Sequence, residues 1–287
     1  NSKDAIAYVE MQGKLPVVVK ADGLALGKGV IIAQTMEQAK QAILSIMEDK
    51  KFGESGNRVV IEEFLTGPEV SVLAFTDGKT IRPMVSSKDH KRALDGDRGL
   101  NTGGMGTISP NPYYTEEMAQ ICQNTIFEPT IRAMQAEGRP FKGCLYFGLM
   151  LTPDGPKVIE YNARFGDPEA QVVLPRLKTD LLDICDAVID ERLADIELVW
   201  SKDCSACVVI ASGGYPESYQ KGYIIDGLDA NGQVADAVVY HAGTACKDGV
   251  FYTNGGRVLG VTAKAYRAVE KIHFTDCFYR RDIGKTK

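Results

Sequence analysis

The run from Lys20 to Gly29, Lys-Ala-Asp-Gly-Leu-Ala-Leu-Gly-Lys-Gly, constrains this chain more than any other segment. Two β-rich runs flank it, Leu15 to Lys20 and Val30 to Ala33. Glycines let backbone N–H groups approach phosphate oxygens, and lysines neutralise the phosphate charge. A Walker-type loop needs four residues between its glycines, then Lys and Ser or Thr, then a helix. Here three residues separate Gly23 from Gly27, Gly29 follows Lys28, and a strand comes next. The spacing describes a hairpin folding over phosphates rather than a turn beneath a helix N-terminus. A surface hairpin with solvated lysines is the alternative.

Around this hairpin the pattern alternates. Thr35 is placed to cap a periodic helical run from Met36 to Met47. Arg58 to Leu65 reads as a strand, and Asp77-Gly78 joins two strand-like runs as a hairpin. Ser86 to Pro110 is long, polar and aperiodic, and reads as a functional loop. Thr115 caps a helix running to Gly138, which Pro129 is expected to kink. Gly143 to Thr152 and Lys157 to Ala163 pair around Asp154-Gly155, and Leu181 to Leu193 is helical. After Trp200 short strands with glycine-rich turns take over. The expectation is an α+β domain over 1–194, with parts about 1–65 and 66–194, and a small β-rich domain over 195–287.

Composition narrows the function. A chain of 287 residues builds about two domains without metal or disulfide staples. A net charge of −5 argues against non-specific nucleic-acid binding. The longest apolar runs, such as Cys207 to Ala211, are far too short to span a bilayer. Seven scattered cysteines fit a reducing cytoplasm, and Cys204-x-x-Cys207 is taken as structural. Three histidines, His90, His241 and His273, leave little for a multi-histidine metal site. No apolar signal core follows Asn1.

Candidate chemistry lies at strand ends and glycine-rich turns. Glu62 and Glu63 close an apolar strand, and Glu69 follows Gly67-Pro68. Such acids accept hydrogen bonds from an exocyclic amine or from ribose hydroxyls, or else they protect a sheet edge. In Lys157 to Asn162 strict alternation puts Val158, Glu160 and Asn162 on one face, with Ile159 and Tyr161 packing on the other. A carboxylate and an amide oxygen two residues apart suit a hard cation, Mg²⁺ where phosphates complete the shell. Arg164 follows at once and can hold a transferring phosphoryl group. Asp167 and Glu169 can orient that arginine or bind an amine, and Asp167-Pro168 also reads as a helix start. The long loop carries Lys88, His90, Lys91 and Arg92, then Asn101, Thr102, Gly103, Gly104, Met105 and Gly106. Basic groups followed by backbone donors suit a small anionic substrate.

In this order the motifs resemble the ATP-grasp enzymes, and within them the phosphoribosylamine–glycine ligase family. The stretches VVVKADGLALGKGV, VIEEFLTGPEVSV, SSKDHKRALDGDRGLNTGGMG, VIEYNARFGDPEAQ and TNGGRVLGVTA carry the likeness, which spans Leu15 to Gly284. It implies two α+β subdomains gripping ATP and a small C-terminal domain. It further implies joining glycine to 5-phosphoribosylamine through glycyl phosphate, with ATP and Mg²⁺ or Mn²⁺, in a cytoplasmic monomer. By the resemblance Lys20, Gly27, Lys28 and Gly29 contact ATP phosphates. Glu62, Glu63 and Leu65 read the adenine, and Glu69 reads the ribose. Glu160 and Asn162 ligate the metal, and Arg164 stabilises the acyl phosphate. Asp167, Lys91, Arg92 and Asn101 to Gly106 line the glycine and ribosylamine pocket. The family's preceding nucleotide-fold domain is expected to be lacking here, and Ala263-Lys264 stands where the family has a longer turn. Another ATP-grasp ligase acting on a different carboxylate, or an ATP-binding module without turnover, is the rival reading.

Overall fold

The computed structural model describes residues 1–23, 25 and 29–285. Its contacts divide the chain once, into a unit over Asn1–Thr66 and a unit over Gly67–Lys287. No helix among the described residues is long and apolar enough to cross a membrane.

The first unit runs α1 (Ser2–Gln12), β1 (Val17–Ala21), β2 (Val30–Ala33), α2 (Met36–Met47) and β3 (Val59–Glu63). The three strands form an antiparallel sheet in the order β2-β1-β3. Thr35 caps α2 as expected, its side chain accepting the Gln38 N–H. One sheet face, with Val17, Val19, Ala33 and Ile61, packs on Ala39, Ile43 and Ile46 of α2. Alternation sends Val18, Lys20, Ile32, Val60 and Glu62 to the other face.

The second unit opens with β4 (Glu69–Thr76), β5 (Ile81–Pro83), β6 (Lys88–Asp89), β7 (Arg92–Leu94), β8 (Arg98–Asn101) and β9 (Gly106–Ser109). Next come α3 (Glu116–Cys122), α4 (Glu128–Ala136), β10 (Gly143–Thr152), β11 (Gly155–Asn162), α5 (Ala170–Val173) and α6 (Leu181–Ile189). It closes with β12 (Ser205–Ala211), β13 (Val238–His241), β14 (Thr244–Lys247), β15 (Val250–Thr253), β16 (Arg257–Thr262) and α7 (Ala265–Val269). One antiparallel sheet has the order β11-β10-β4-β5 and another the order β13-β16-β12-β9-β6. Phe127, Phe147 and Leu149 centre the core on one side of the first sheet. Leu73, Tyr146, Val172 and Ile184 fill the other side. Val208, Ile210, Leu259 and Val269 form the core of the second sheet.

Local signals placed several elements correctly. Asp77 turns the β4–β5 hairpin by accepting the N–H groups of Lys79 and Thr80. Thr115 caps α3. The kink expected at Pro129 takes the form of a π-helical turn over Gln123–Phe127, which accommodates a ring that cannot donate a backbone bond.

Three readings change. Ser86 to Pro110 is not a loop: it holds β6 to β9, and β9 pairs with β12 about a hundred residues later. β6 pairs with β9 and β7 with β8 inside the segment, and β9 also takes β12 on its other edge, so one sheet holds strands from both sides of position 195. Asp167-Pro168 does not start a helix; α5 begins at Ala170, after Glu169. The third change lies in β11 and bears on the site.

Candidate active site

Residues paired across antiparallel strands point to the same face. Glu160 faces Gly148 and Asn162 faces Tyr146, but Val158 faces Leu149, because the register shifts between Gly148 and Leu149. Ile159 is therefore the extra residue of a β-bulge. Strict alternation would put Val158 beside Glu160. The bulge instead sends Val158 into the apolar core with Phe147 and Leu149. Glu160 and Asn162 stay together on the opposite face, the metal pair expected from spacing, without an aliphatic neighbour between strands. Gly148 makes room: a Cβ there would lie 3.0 Å from Glu160 Cγ.

The same face carries Glu69 and Ser71 of β4, opposite Met150 and Gly148. Ser71 Oγ and Tyr146 Oη share a 2.7 Å hydrogen bond, and each lies within reach of Glu169 Oε1, at 3.3 and 3.2 Å; one hydroxyl proton bridges the pair and the other goes to the carboxylate. All three side chains are buried. Gly166 permits this, since a Cβ there would collide with Glu169 Oε2. Beside them Lys91 Nζ donates to Glu69 Oε2 at 2.7 Å. Asp89 Oδ1 accepts the His90 N–H. Burial, then repulsion by Glu169, pushes the Asp89 carboxyl well above the usual range. Burial likewise raises Glu169 against the hydrogen bonds that favour its charge. Burial works against the charge on Lys91, but Glu69, Asp89 and Glu160 together hold its pKa above the ordinary lysine value.

The glycine-rich segment closes on this cluster. Thr102 Oγ1 donates to Lys91 O and accepts the Gly104 N–H. Gly104 has φ +111°, and a Cβ there would lie 2.6 Å from both Asp89 Oδ1 and Pro168 Cδ. Asp167 does not orient Arg164, as the sequence suggested; its Oδ2 accepts from Arg257 Nη2 at 3.0 Å and its Oδ1 from Gln171 Nε2 at 2.8 Å. Arg164 is exposed, and its guanidinium bonds Phe165 O and Asn162 Oδ1.

Some expected substrate groups are placed elsewhere. Met105 is fully buried, and Gly106 O accepts from His90 N and contacts its Nδ1. His90 is buried too, and burial with nearby Arg280 lowers its pKa. Arg92 and Asn101 sit opposite each other in the β7–β8 hairpin, with Arg92 donating to Gly99 O. Asp89 and Arg257 were not singled out from sequence. Asp89 sits in an otherwise basic run, and Arg257 lies far along the chain after the Asn254-Gly255-Gly256 turn.

In the first unit Lys20 Nζ lies 2.5 Å from Glu62 Oε2. Both share the sheet face with the exposed side chains of Val30, Ile32 and Val60. Glu63 pairs with Val17 and so points to the opposite face from Glu62. Leu65 is half-buried just beyond β3. Gly29 packs its Cα side on Ala21 and Ala25, while Gly27 and Lys28 lie outside the described residues.

As to the metal, two oxygen ligands on one face fit a hard cation that keeps waters and takes phosphate oxygens. A cage of three or more acidic, His or Cys groups does not occur among the described residues.

Similarity to known proteins places this geometry. In shape the chain is similar to the biotin carboxylase domain of Hydrogenobacter thermophilus 2-oxoglutarate carboxylase, with a TM-score of 0.71 at 13% identity, over 97% of this chain and 61% of that one. The fold is ATP-grasp: residues 1–170 match the ATP-grasp (A) domain of phosphoribosylglycinamide synthetase, and residues 205–286 match its C domain. The Thermotoga maritima phosphoribosylamine–glycine ligase structure has a TM-score of 0.85 at 34% identity, covering 98% of this chain and 72% of that one. The phosphoribosylamine–glycine ligase of Halalkalibacterium halodurans is 50% identical over 98% of this chain and 67% of its own length. The trifunctional purine biosynthetic protein adenosine-3 of Gallus gallus is 49% identical, over 98% of this chain and 29% of its own. The chain belongs to the phosphoribosylglycinamide synthetase family.

Proposed function

We propose that this chain performs the ATP- and glycine-handling chemistry of a phosphoribosylamine–glycine ligase in purine biosynthesis. A carboxylate oxygen of glycine attacks the γ-phosphorus of ATP, and ADP leaves with the bridging electrons. The amine of 5-phosphoribosylamine then attacks the acyl carbon of glycyl phosphate. Inorganic phosphate departs, the nitrogen loses a proton, and glycinamide ribonucleotide results. The observation that carries this reading is the Glu160–Asn162 pair on the face of Glu69, Ser71 and Tyr146, from which the bulge at Ile159 turns Val158 away.

The residue roles follow from chemistry. Glu160 and Asn162 hold Mg²⁺ or Mn²⁺, which when bound neutralises phosphate charge and polarises the transferring group. Arg164, adjacent to that pair, steadies the phosphoryl oxygens. Lys20 neutralises phosphate charge, and the aliphatic side chains beside it offer a flat apolar surface to a base. Glu62 accepts from the adenine amine, and Lys91 with Glu69 sets the ribose and phosphate register. Asp167 and the Thr102–Gly104 peptides receive glycine, whose ammonium suits the acidic surroundings of Asp89 and Glu169. Excluding water protects the acyl phosphate from hydrolysis. The reaction draws on small, soluble substrates and fits a cytoplasmic setting.

Titration calorimetry of ATP in Mg²⁺ tests the reading. Glu160→Ala is expected to weaken ATP at least tenfold in Mg²⁺ and to change little in EDTA. Equal affinity of wild type and variant in Mg²⁺ would remove the metal assignment. ADP formation that ignores both glycine and 5-phosphoribosylamine would remove the ligase assignment.

A further inference from the structure

We infer that Arg257, with Tyr215, is a positioning residue for the glycine-binding segment, so that the C-terminal strands form part of the reaction site. The inference rests on the function proposed above and adds a residue to it.

The argument starts at the Asn254-Gly255-Gly256 turn before β16. Gly255 lies against Gly243, where a Cβ would meet the Gly243 Cα at 2.8 Å. A Cβ on Gly256 would lie 2.2 Å from the Tyr215 ring. The two glycines thus let the turn approach Gly243 on one side and the Tyr215 ring on the other. From there Tyr215 Oη accepts the Gly103 N–H at 3.0 Å. The next residue, Arg257, donates from Nη1 to Gly103 O at 2.8 Å. Both ends of residue 103 are therefore gripped from the C-terminal part of the chain. A Cβ on Gly103 would sit 3.0 Å from Arg257 Cζ, so a larger residue would push the guanidinium back by a few tenths of an ångström.

The same guanidinium reaches the other side of the site. Nη1 also donates to Asp167 O at 2.8 Å, and Nη2 to Asp167 Oδ2 at 3.0 Å. Nη1 is taken up by Gly103 O and Asp167 O and Nη2 holds Asp167 Oδ2, so the bonds of Arg257 act through Gly103 and Asp167. With Gln171 on Oδ1, the Asp167 carboxylate is held by two donors and cannot rotate freely. A planar fork can bridge acceptors on two segments; a lysine ammonium on a flexible stem cannot reproduce that geometry. The side chain is only 22% exposed, so water competes weakly for these bonds.

Steady-state kinetics on the full chain test the inference, with Arg257→Ala, Arg257→Lys and Tyr215→Phe. Arg257→Ala is expected to lower kcat/KM for glycine about 100-fold, as small misplacements of a reacting group do. The KM for ATP should stay within about twofold, because neither Gly103 nor Asp167 is assigned to the nucleotide. Added guanidinium ion should restore at least a tenth of the lost activity to Arg257→Ala, Arg257→Lys should behave like the alanine variant, and Tyr215→Phe should lose less. A crystal structure of Arg257→Ala should show Gly103 and the Asp167 side chain displaced. Unmoved loops, an equal fall in glycine and ATP parameters, or full activity in Arg257→Lys would overturn the inference. Wild-type protein without glycine-dependent ADP formation would instead strike the proposed function, and the crystal structure would still decide the role of Arg257.

Discussion

Replacing Gly104 by alanine tests whether the glycine-rich segment is held by close packing against the buried acids. The structure supplies its own control. Gly104 and Gly155 share a φ of +111°, which L side chains rarely adopt. Around Gly155 nothing lies within 4 Å of an added Cβ, so Gly155→Ala costs only backbone strain, about 2 kcal/mol. At Gly104 the same Cβ meets Asp89 Oδ1 and Pro168 Cδ at 2.6 Å. Neither neighbour moves cheaply: Asp89 is tied to the His90 N–H, and Pro168 is buried in a rigid ring. Crowding adds about 2 kcal/mol. For a unit of this size each kcal/mol lowers Tm by about 2–4 °C. Gly155→Ala should therefore lower Tm by about 4–8 °C and Gly104→Ala by about 8–16 °C, both read by scanning calorimetry. Only Gly104→Ala should also lower kcat/KM for glycine. Indistinguishable Tm values for the two variants would show that the segment is not packed against Asp89 and Pro168, and the reasoning would fail.

Two further outcomes follow from the charged groups. Asp89 and Glu169 bind protons more tightly folded than unfolded, so the stability they contribute is full below the ordinary carboxylate range and is lost as pH rises through their raised values. Asp89→Asn, which keeps an oxygen for the His90 N–H, should raise the urea midpoint at pH 7.5 and lose that advantage toward pH 4, while glycine-dependent turnover drops; an advantage independent of pH would refute the acid pair. Lys20→Met should shift stability by less than about 1 kcal/mol, since the Lys20–Glu62 pair is partly exposed. In calorimetry it should weaken ATP more than AMP, and equal loss for both nucleotides would argue against a phosphate contact.

What the sequence determined by itself was local. Thr35 and Thr115 cap helices because a hydroxyl three residues before an unpaired N–H satisfies it wherever the rest of the chain lies. Asp77 turns a hairpin for the same short-range reason. Glu160 and Asn162 could be paired because two residues along a strand return to the same face. The tertiary structure alone decided which face Val158 joined, since one bulged residue breaks a period of two and leaves no mark in composition. It also decided that Ser86 to Pro110 is sheet, because β9, which pairs with β6 inside the segment, gains its second backbone partner only when β12 arrives. Asp89, Glu169 and Arg257 became a site in the same way. Burial and repulsion between acids, and a guanidinium bridging residues 103 and 167, depend on distances in space that separation along the chain does not record.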